Sequence, residues 1–263
     1  VTSPATKAEL AALSRLSRAG ERRQTGLLLV EGPRLLHEAL EAGLVPELVV
    51  ASERASGEHG ALLARAEAAG ATLREADRER IDRAADTSHG PGLLASVPRP
   101  AEPDGQREEA PGTGPVLELA LAGLQDPGNV GTLVRAARGF GVERVHLAGG
   151  TADPWGPKAL RASAGAALHV PLCRDATPES LAERAGTHDL TLLVARAVED
   201  GAAASGLPER SLLVLGHETR GVPDLPGAAT VAVPQRPELE SLNVAMAGAI
   251  LMAGWYAGHG GSS

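Results

Sequence analysis

Three small polar clusters in an otherwise oily chain carry the residue types that do chemistry: Asn129 with Arg135, Glu218 between Gly216 and Gly221, and the run Ser241-Leu242-Asn243. An amide offers two donors and an acceptor, a hydroxyl donates and accepts, a carboxylate accepts, and a guanidinium donates while staying charged. Such a set can make a polar binding site that also offers a fixed positive charge. It is not a metal set, since the eight histidines show no metal-ligand spacing and Cys173 is the only cysteine. Each residue also has a plainer reading. Ser241 and Asn129 both suit the cap of a following helix, Glu218 could brace its own loop, and Arg135 could be a surface arginine. Asn243 is harder to set aside, because an amide just inside an apolar helix must find partners or cost about 1–3 kcal/mol.

The elements that must position these clusters follow from hydrophobic pattern. Strands are expected over 116–122, 144–148, 168–172, 190–195, 211–215 and 230–233, with helices over 130–139, 157–165, 178–185 and 242–257. Six short, mostly buried strands separated by helices imply a parallel sheet covered on both faces. Ligands sit outside the carboxyl ends of such strands, and all three clusters fall there or just beyond. Pro234 and Pro237 stop the last strand, and the apolar helix after it is rich in Ala and Gly, as a helix buried on all sides would be. A generic dinucleotide site is weakly supported, since 123–131 contains no G-x-G-x-x-G and no acidic residue closes the second strand.

Upstream, strands over 27–30, 47–51, 72–73 and 92–97 alternate with helices over 6–17, 33–41, 58–69 and 78–84, which makes residues 1–97 a small α/β domain. Residues 98–115, rich in Pro, Gly and charge, read as a linker, and 116–263 as the second domain. The 263 residues and 43% apolar content give ample core, while 2% aromatics disfavour nucleic-acid binding by ring stacking. A net charge of −8 argues against indiscriminate nucleic-acid binding. Locally, however, Arg15, Arg18, Arg22 and Arg23, extended by Lys7 and Arg34, outnumber Glu9, Glu21 and Glu31; this run is either a phosphate-facing surface or a solvated helix face. No apolar run approaches the roughly 18 residues of a membrane span. With no basic-then-apolar signal and a single cysteine, the expected compartment is the cytoplasm.

Taken together, the clusters resemble the motifs of the SpoU (TrmH-like) branch of the SPOUT methyltransferases, which methylate ribose 2′-hydroxyls of RNA. The first motif is Asn129-Val130-Gly131 with Arg135, the second Gly216-His217-Glu218-Thr219-Arg220-Gly221, and the third Val233-Pro234 followed by Ser241-Leu242-Asn243. Arg161 to Ala166 is similar to the family's small-residue helix, and the resemblance runs from Val116 to about Ala257. His217, Thr219 and Gln235 depart from the residues common at those places. Residues 1–97 look like the substrate-binding domain of large-subunit rRNA members, best matched at Gly32-Pro33-Arg34.

The resemblance implies a parallel-sheet SPOUT domain with a C-terminal trefoil knot, preceded by a small α/β substrate-binding domain. It implies S-adenosylmethionine as cofactor, held by backbone around Gly216, Val233 and Leu242, with Ala195 as a further candidate, and no metal. Asn129, Arg135, Glu218, Ser241 and Asn243 become the catalytic set, in a homodimer where the arginine of one subunit reaches the cofactor of the other. The family gives proton removal to this arginine. A guanidinium titrates above about 12, so stabilising the alkoxide and clamping a phosphate suits Arg135 better. The expected partner is RNA, rRNA ahead of tRNA, with no DNA and no membrane. The competing readings are a tRNA ribose methyltransferase, a non-catalytic RNA-binding factor that keeps the fold, and a Rossmann-type nucleotide enzyme.

Overall fold

The computed structural model describes residues 3–87, 90–103, 110–196, 206–216, 222, 225–236, 238 and 241–260, and the chain forms two compact units. The first comprises Val1–Ala101 together with Asp153–His169. Its elements are β1 (Ser3–Pro4), α1 (Lys7–Arg15), α2 (Ala19–Thr25), β2 (Leu27–Glu31), α3 (Pro33–Glu41), β3 (Leu48–Ala51), α4 (Glu53–Glu58), α5 (Gly60–Ala68), β4 (Thr72–Glu75), α6 (Arg78–Ala84) and β5 (Leu93–Pro98). The sheet order is β1-β4-β3-β5-β2, with β5 antiparallel to both β2 and β3. Leu10, Leu13, Leu29, Val50, Ile81 and Leu94 form its core.

Local chemistry accounts for the ends of these helices. Thr6 and Glu9 form a reciprocal capping box at the start of α1. Gly26, at φ 71°, ends α2 in the left-handed region that favours glycine. The helix expected over 58–69 is α5, and before it the cap Ser52 opens a further short helix, α4, that the apolar pattern does not mark. Helix α2 is unexpected, since its sequence AGERRQT has almost no apolar face. The later segment of this unit holds α8 (Pro157–Ala162) and a 3-10 turn over Ala166–Leu168.

The second unit is Glu102–Ala152 with Val170–Ser263. It contains β6 (Val116–Ala122), α7 (Pro127–Gly139), β7 (Arg144–Ala148), β8 (Leu172–Ala176), α9 (Pro178–Thr187), β9 (Thr191–Ala195), β10 (Arg210–Gly216), β11 (Ala229–Val231) and α10 (Val244–His259). The six strands run in the order β11-β9-β10-β6-β7-β8, and every pairing is parallel. Chain order reverses direction across the sheet between β6 and β10, which is the kind of place where ligands bind. One expectation fails here. Leu168, expected in a strand, lies in the 3-10 turn, and β8 begins at Leu172. Buried residues 166–168 fill core without pairing, a distinction that an apolar run alone does not carry.

Beneath the sheet of the second unit lies an ion cluster that the strand pattern gives no reason to expect. Glu118 on β6 is fully buried and accepts from Arg184 Nε at 2.6 Å, Arg184 Nη2 at 2.5 Å and His146 Nε2 at 2.7 Å. Burial pushes the Glu118 carboxyl up, but the hydrogen bonds from Arg184 and His146 outweigh it and hold the pKa at about 2.

Candidate active site

Helix α7 starts three residues earlier than its apolar pattern implies. Asp126, not Asn129, is the cap: its carboxylate accepts from Gly128 N at 3.1 Å, and Pro127 supplies the first helical residue. The Asp-Pro pair was the signal for this start. Asn129 therefore sits in the first turn rather than at the cap, and Arg135 lies in the third turn.

At the other end of the chain the cap assignment also moves. Helix α10 begins at Val244, and Asn243 is its N-cap, its Oδ1 accepting from Ala245 N at 2.9 Å and Met246 N at 3.3 Å. Ser241 lies two residues before that cap and is exposed. The Asn243 amide keeps its nitrogen for another partner, and Nδ2 donates to Asn129 Oδ1 at 3.2 Å. One residue thus settles the start of an apolar helix and ties it to the start of α7.

Helix α10 packs on both α7 and β10. Gly248 makes that approach possible, since a Cβ there would lie 2.5 Å from both Leu133 Cδ2 and Leu215 Cδ1. The four candidates for cofactor contact lie at or beyond the carboxyl edge of the same sheet. Gly216, the last residue of β10, is in register with Ala122 of β6, and Ala195, the last of β9, with Val231 of β11. Val233 follows β11 by two residues and Leu242 precedes Asn243; all four are half-buried. Small or apolar side chains with strand-end backbone suit a neutral adenine held by main-chain hydrogen bonds, so the residues fit the expected cofactor. Glu218, with His217, Thr219 and Gly221, lies outside the described residues.

Arg135 is exposed and makes no ion pair or hydrogen bond among the described residues. A cation left without a carboxylate partner is available for an anion from outside. No group of His, Cys, Asp or Glu among the described residues could hold a metal ion. Sequence reasoning missed Thr151, whose Oγ1 donates to Leu121 O at 2.8 Å and accepts from Gly123 N at 3.0 Å, locking the strand end that leads to Asn129. No local pattern marks it, for its partners are about thirty residues away.

The basic run near the amino terminus divides. Arg22 is 5% exposed and Arg15 pairs with Glu21 at 3.1 Å, whereas Arg18 and Arg23 are exposed. As a four-residue phosphate surface the run is therefore corrected, because its third member is part of the interior.

Comparison with known proteins agrees with this architecture. The SpoU rRNA Methylase family model matches residues 116–253, and the MRM3-like substrate binding domain model matches residues 8–95. An uncharacterised tRNA/rRNA methyltransferase of Synechocystis sp. is 31% identical over 253 residues, covering 91% of this chain and 87% of the relative. The 23S rRNA (guanosine(2553)-2'-O)-methyltransferase RlmP of Bacillus subtilis is 30% identical, covering 88% of this chain and 89% of the relative. The crystal structure of an AdoMet-bound rRNA methyltransferase from Sinorhizobium meliloti shares the fold, with TM-score 0.82 at 23% identity over 98% of this chain and 97% of that one. A family model that spans more than half of the sequence, and a relative above 30% identity matched over most of its length, establish that the chain belongs to the SpoU rRNA methylase family.

Proposed function

We propose that this chain transfers a methyl group from S-adenosylmethionine to a ribose 2′-hydroxyl of large-subunit rRNA; the name of the Bacillus subtilis relative describes 2'-O-methylation of 23S rRNA for that protein. The observation that carries the reading is the 3.2 Å amide contact between Asn129 and Asn243 at the carboxyl edge of the sheet, where Gly216 and Ala195 also end their strands. When bound, the cofactor supplies a methyl already activated on a sulfonium, so the protein needs to position, to exclude water and to deal with one proton. Backbone at Ala195, Gly216, Val233 and Leu242 would hold it. Asn129 and Ser241 orient the ribose hydroxyl, Asn243 holds Asn129 in place, and Glu218 completes the set. Arg135 stabilises the alkoxide as the proton leaves and clamps a neighbouring phosphate.

The same reading includes the trefoil knot around the loops after β10 and β11, a homodimer, and work in the cytoplasm. Two features support the dimer. Arg135 follows Asn129 by six residues, hence about 9 Å along α7 and about 120° around it, so the two do not converge on one point within a single helix. Helix α10 leaves Met246 56% exposed and Ile250 47%, one turn apart on one face, an apolar pair of the kind that a second copy covers.

Turnover tests this. With labelled S-adenosylmethionine and large-subunit rRNA transcript, Arg135→Ala should lower kcat by about a hundredfold to ten-thousandfold while cofactor affinity stays near normal. Mixing it with a variant crippled in the cofactor pocket should restore part of the activity, since one mixed dimer then holds one complete site. Full turnover by Arg135→Ala at saturating RNA would remove the arginine from the mechanism, and label appearing in tRNA but not rRNA would change the substrate.

A further inference from the structure

We propose that a cavity at the carboxyl ends of β1, β4 and β3, wholly within the first unit, takes one unpaired guanosine of the RNA substrate. Pro4, Glu75 and Ala51 close these three parallel strands in register with one another. Beyond them opens a cavity of about 700 Å³, within the size range of small-ligand sites. Carboxyl ends of parallel strands are where open α/β sheets bind ligands. The charged lining consists of Glu53, Arg54, Glu75, Asp77, Arg78 and Arg80, and none of the six belongs to the residues assigned to methyl transfer.

The partners of these side chains dictate what the ligand must offer. Arg54 Nε donates to Glu58 at 2.8 Å, Arg78 Nε to both Asp82 oxygens at 2.9 Å, Arg78 Nη2 to Gly90 O, and Arg80 Nη2 to Ala5 O at 2.9 Å. Each guanidinium is thus held in place by part of its donor set. Arg54 keeps both Nη groups, and Arg80 its Nε and Nη1, without a partner among the described residues. The carboxylates of Glu53, Glu75 and Asp77 make no hydrogen bond or ion pair among the described residues. Asp77 stays unbonded even at the cap of α6, where an aspartate ordinarily binds the helix.

Free carboxylates repel a bare phosphate, and no acidic group among the described residues could hold a metal ion. A fitting ligand brings donors for the carboxylates and acceptors for the arginines together. Guanine does so on one ring: N1–H and the N2 amine lie side by side and match the two oxygens of a carboxylate, while O6 and N7 accept from an arginine. Adenine puts an amine beside N7 where the arginine needs an acceptor, uracil sets one donor between two acceptors, and cytosine offers a single amine. No aromatic ring lines the cavity, which leaves an arginine plane to stack on the base. Both base edges are open only in an unpaired nucleotide. All six charged residues lie within the segment 8–95 that matches a substrate-binding domain, which favours a nucleotide of the RNA over a free one. Glu75 and Asp77, two residues apart at the end of the central strand of the three, are the pair assigned to the guanine donors.

This inference rests on the reading that RNA is the substrate. Glu75→Gln with Asp77→Asn is a near-isosteric change to two exposed side chains without partners, so the fold is not at stake. The double variant tests the proposal by the sign of its effect. On a molecule of net charge −8 meeting a polyanion, removing two negative charges tightens binding if they are mere surface charge. If they read guanine, binding weakens. The full chain is titrated with short unstructured oligouridines carrying one central guanosine, inosine, adenosine or cytidine, followed by fluorescence anisotropy and by the amide resonances of Ser52 and Ala76. We expect the guanosine RNA to bind the parent about tenfold more tightly than the adenosine, cytidine and all-uridine RNAs, with inosine, which lacks the N2 amine, in between. In the double variant that preference should fall to about twofold or less, through weaker binding of the guanosine RNA. A double variant that binds every RNA more tightly, or a parent without base preference, would overturn the proposal. Free 5′-GMP should shift the same two amides but bind more weakly than the guanosine RNA; equal affinity would assign the cavity to a free nucleotide and overturn the RNA assignment. Failure of the underlying reading is distinguishable, because it shows as a parent that transfers no methyl group to rRNA transcript, whereas a missing base preference in an active parent sinks this inference alone.

Discussion

At the scale of single residues, Asn243 does two jobs with two ends of one amide. Its oxygen satisfies two backbone N–H groups at the start of α10, and its nitrogen donates to Asn129. The jobs can be separated by substitution. Asn243→Ala removes both and should cost about 1 kcal/mol of stability as a lost cap, together with turnover. Asn243→Asp keeps an oxygen cap, placed favourably at the positive end of the helix, but replaces the donor to Asn129 with an acceptor. Thermal melts should find the Asp variant at least as stable as the parent, while methyl transfer falls in both variants. A variant that melts normally and turns over normally would reduce Asn243 to a cap. Asn243 also marks how far residue-level reading goes. That this amide had to be partnered was legible from its oily surroundings, but its partner lies 114 positions earlier in the chain, and that part only the fold supplies.

Among the elements, close approach of α10 to α7 and β10 depends on Gly248. An alanine in a helix interior ordinarily gains up to about 1 kcal/mol over glycine. Here the added carbon would meet Leu133, fully buried, and Leu215, 1% exposed, at 2.5 Å. Overpacking of about 1–3 kcal/mol outweighs the propensity gain, and Gly248→Val should be worse still. Denaturant midpoints should fall in the order Gly, Ala, Val; an alanine variant more stable than the parent would show that α10 slides freely. Elements with a local signal at both ends were legible, as α3 between Pro33 and Glu41, α6 over Arg78–Ala84 and strands β6 and β7 all lie where pattern puts them. Helix α2 and the 3-10 turn at Ala166–Leu168 were not. In the first, a polar helix is held by one arginine reaching Asp153, and in the second a buried apolar run looks the same whether it pairs or merely fills space. Of the three site clusters read as motifs, the first and third meet at Asn129 and Asn243, whereas Thr151 holds partners about thirty residues away that no spacing reveals.

For the molecule as a whole, stability and RNA binding both turn on where a few charges sit within a net charge of −8. Glu118 is held at about 2 in the folded state against an ordinary value of 4.5, so it stabilises the fold fully above pH 4.5 and loses that contribution as pH falls towards 2. The lost amount is on the order of 3 kcal/mol. Acid unfolding monitored by far-ultraviolet dichroism should therefore steepen below pH 4.5, and Glu118→Gln should be less stable at neutral pH yet flatter across that window. RNA binding presents the converse problem, an acidic molecule meeting a polyanion, and only cations that reach the surface can release counterions. Near the amino terminus Arg18 and Arg23 are exposed, while Arg15 faces Glu21 and Arg22 is consumed by Asp153 and two carbonyls. If this face meets phosphate, neutralising Arg18 and Arg23 should each reduce the slope of log affinity against log salt by roughly 0.7–0.9. Arg22→Ala should leave that slope alone, for its charge is consumed inside its own unit. A salt titration of rRNA binding on the three variants separates exposed from buried cations, and equal slopes in the parent, Arg18→Ala and Arg23→Ala would return the run to a solvated face.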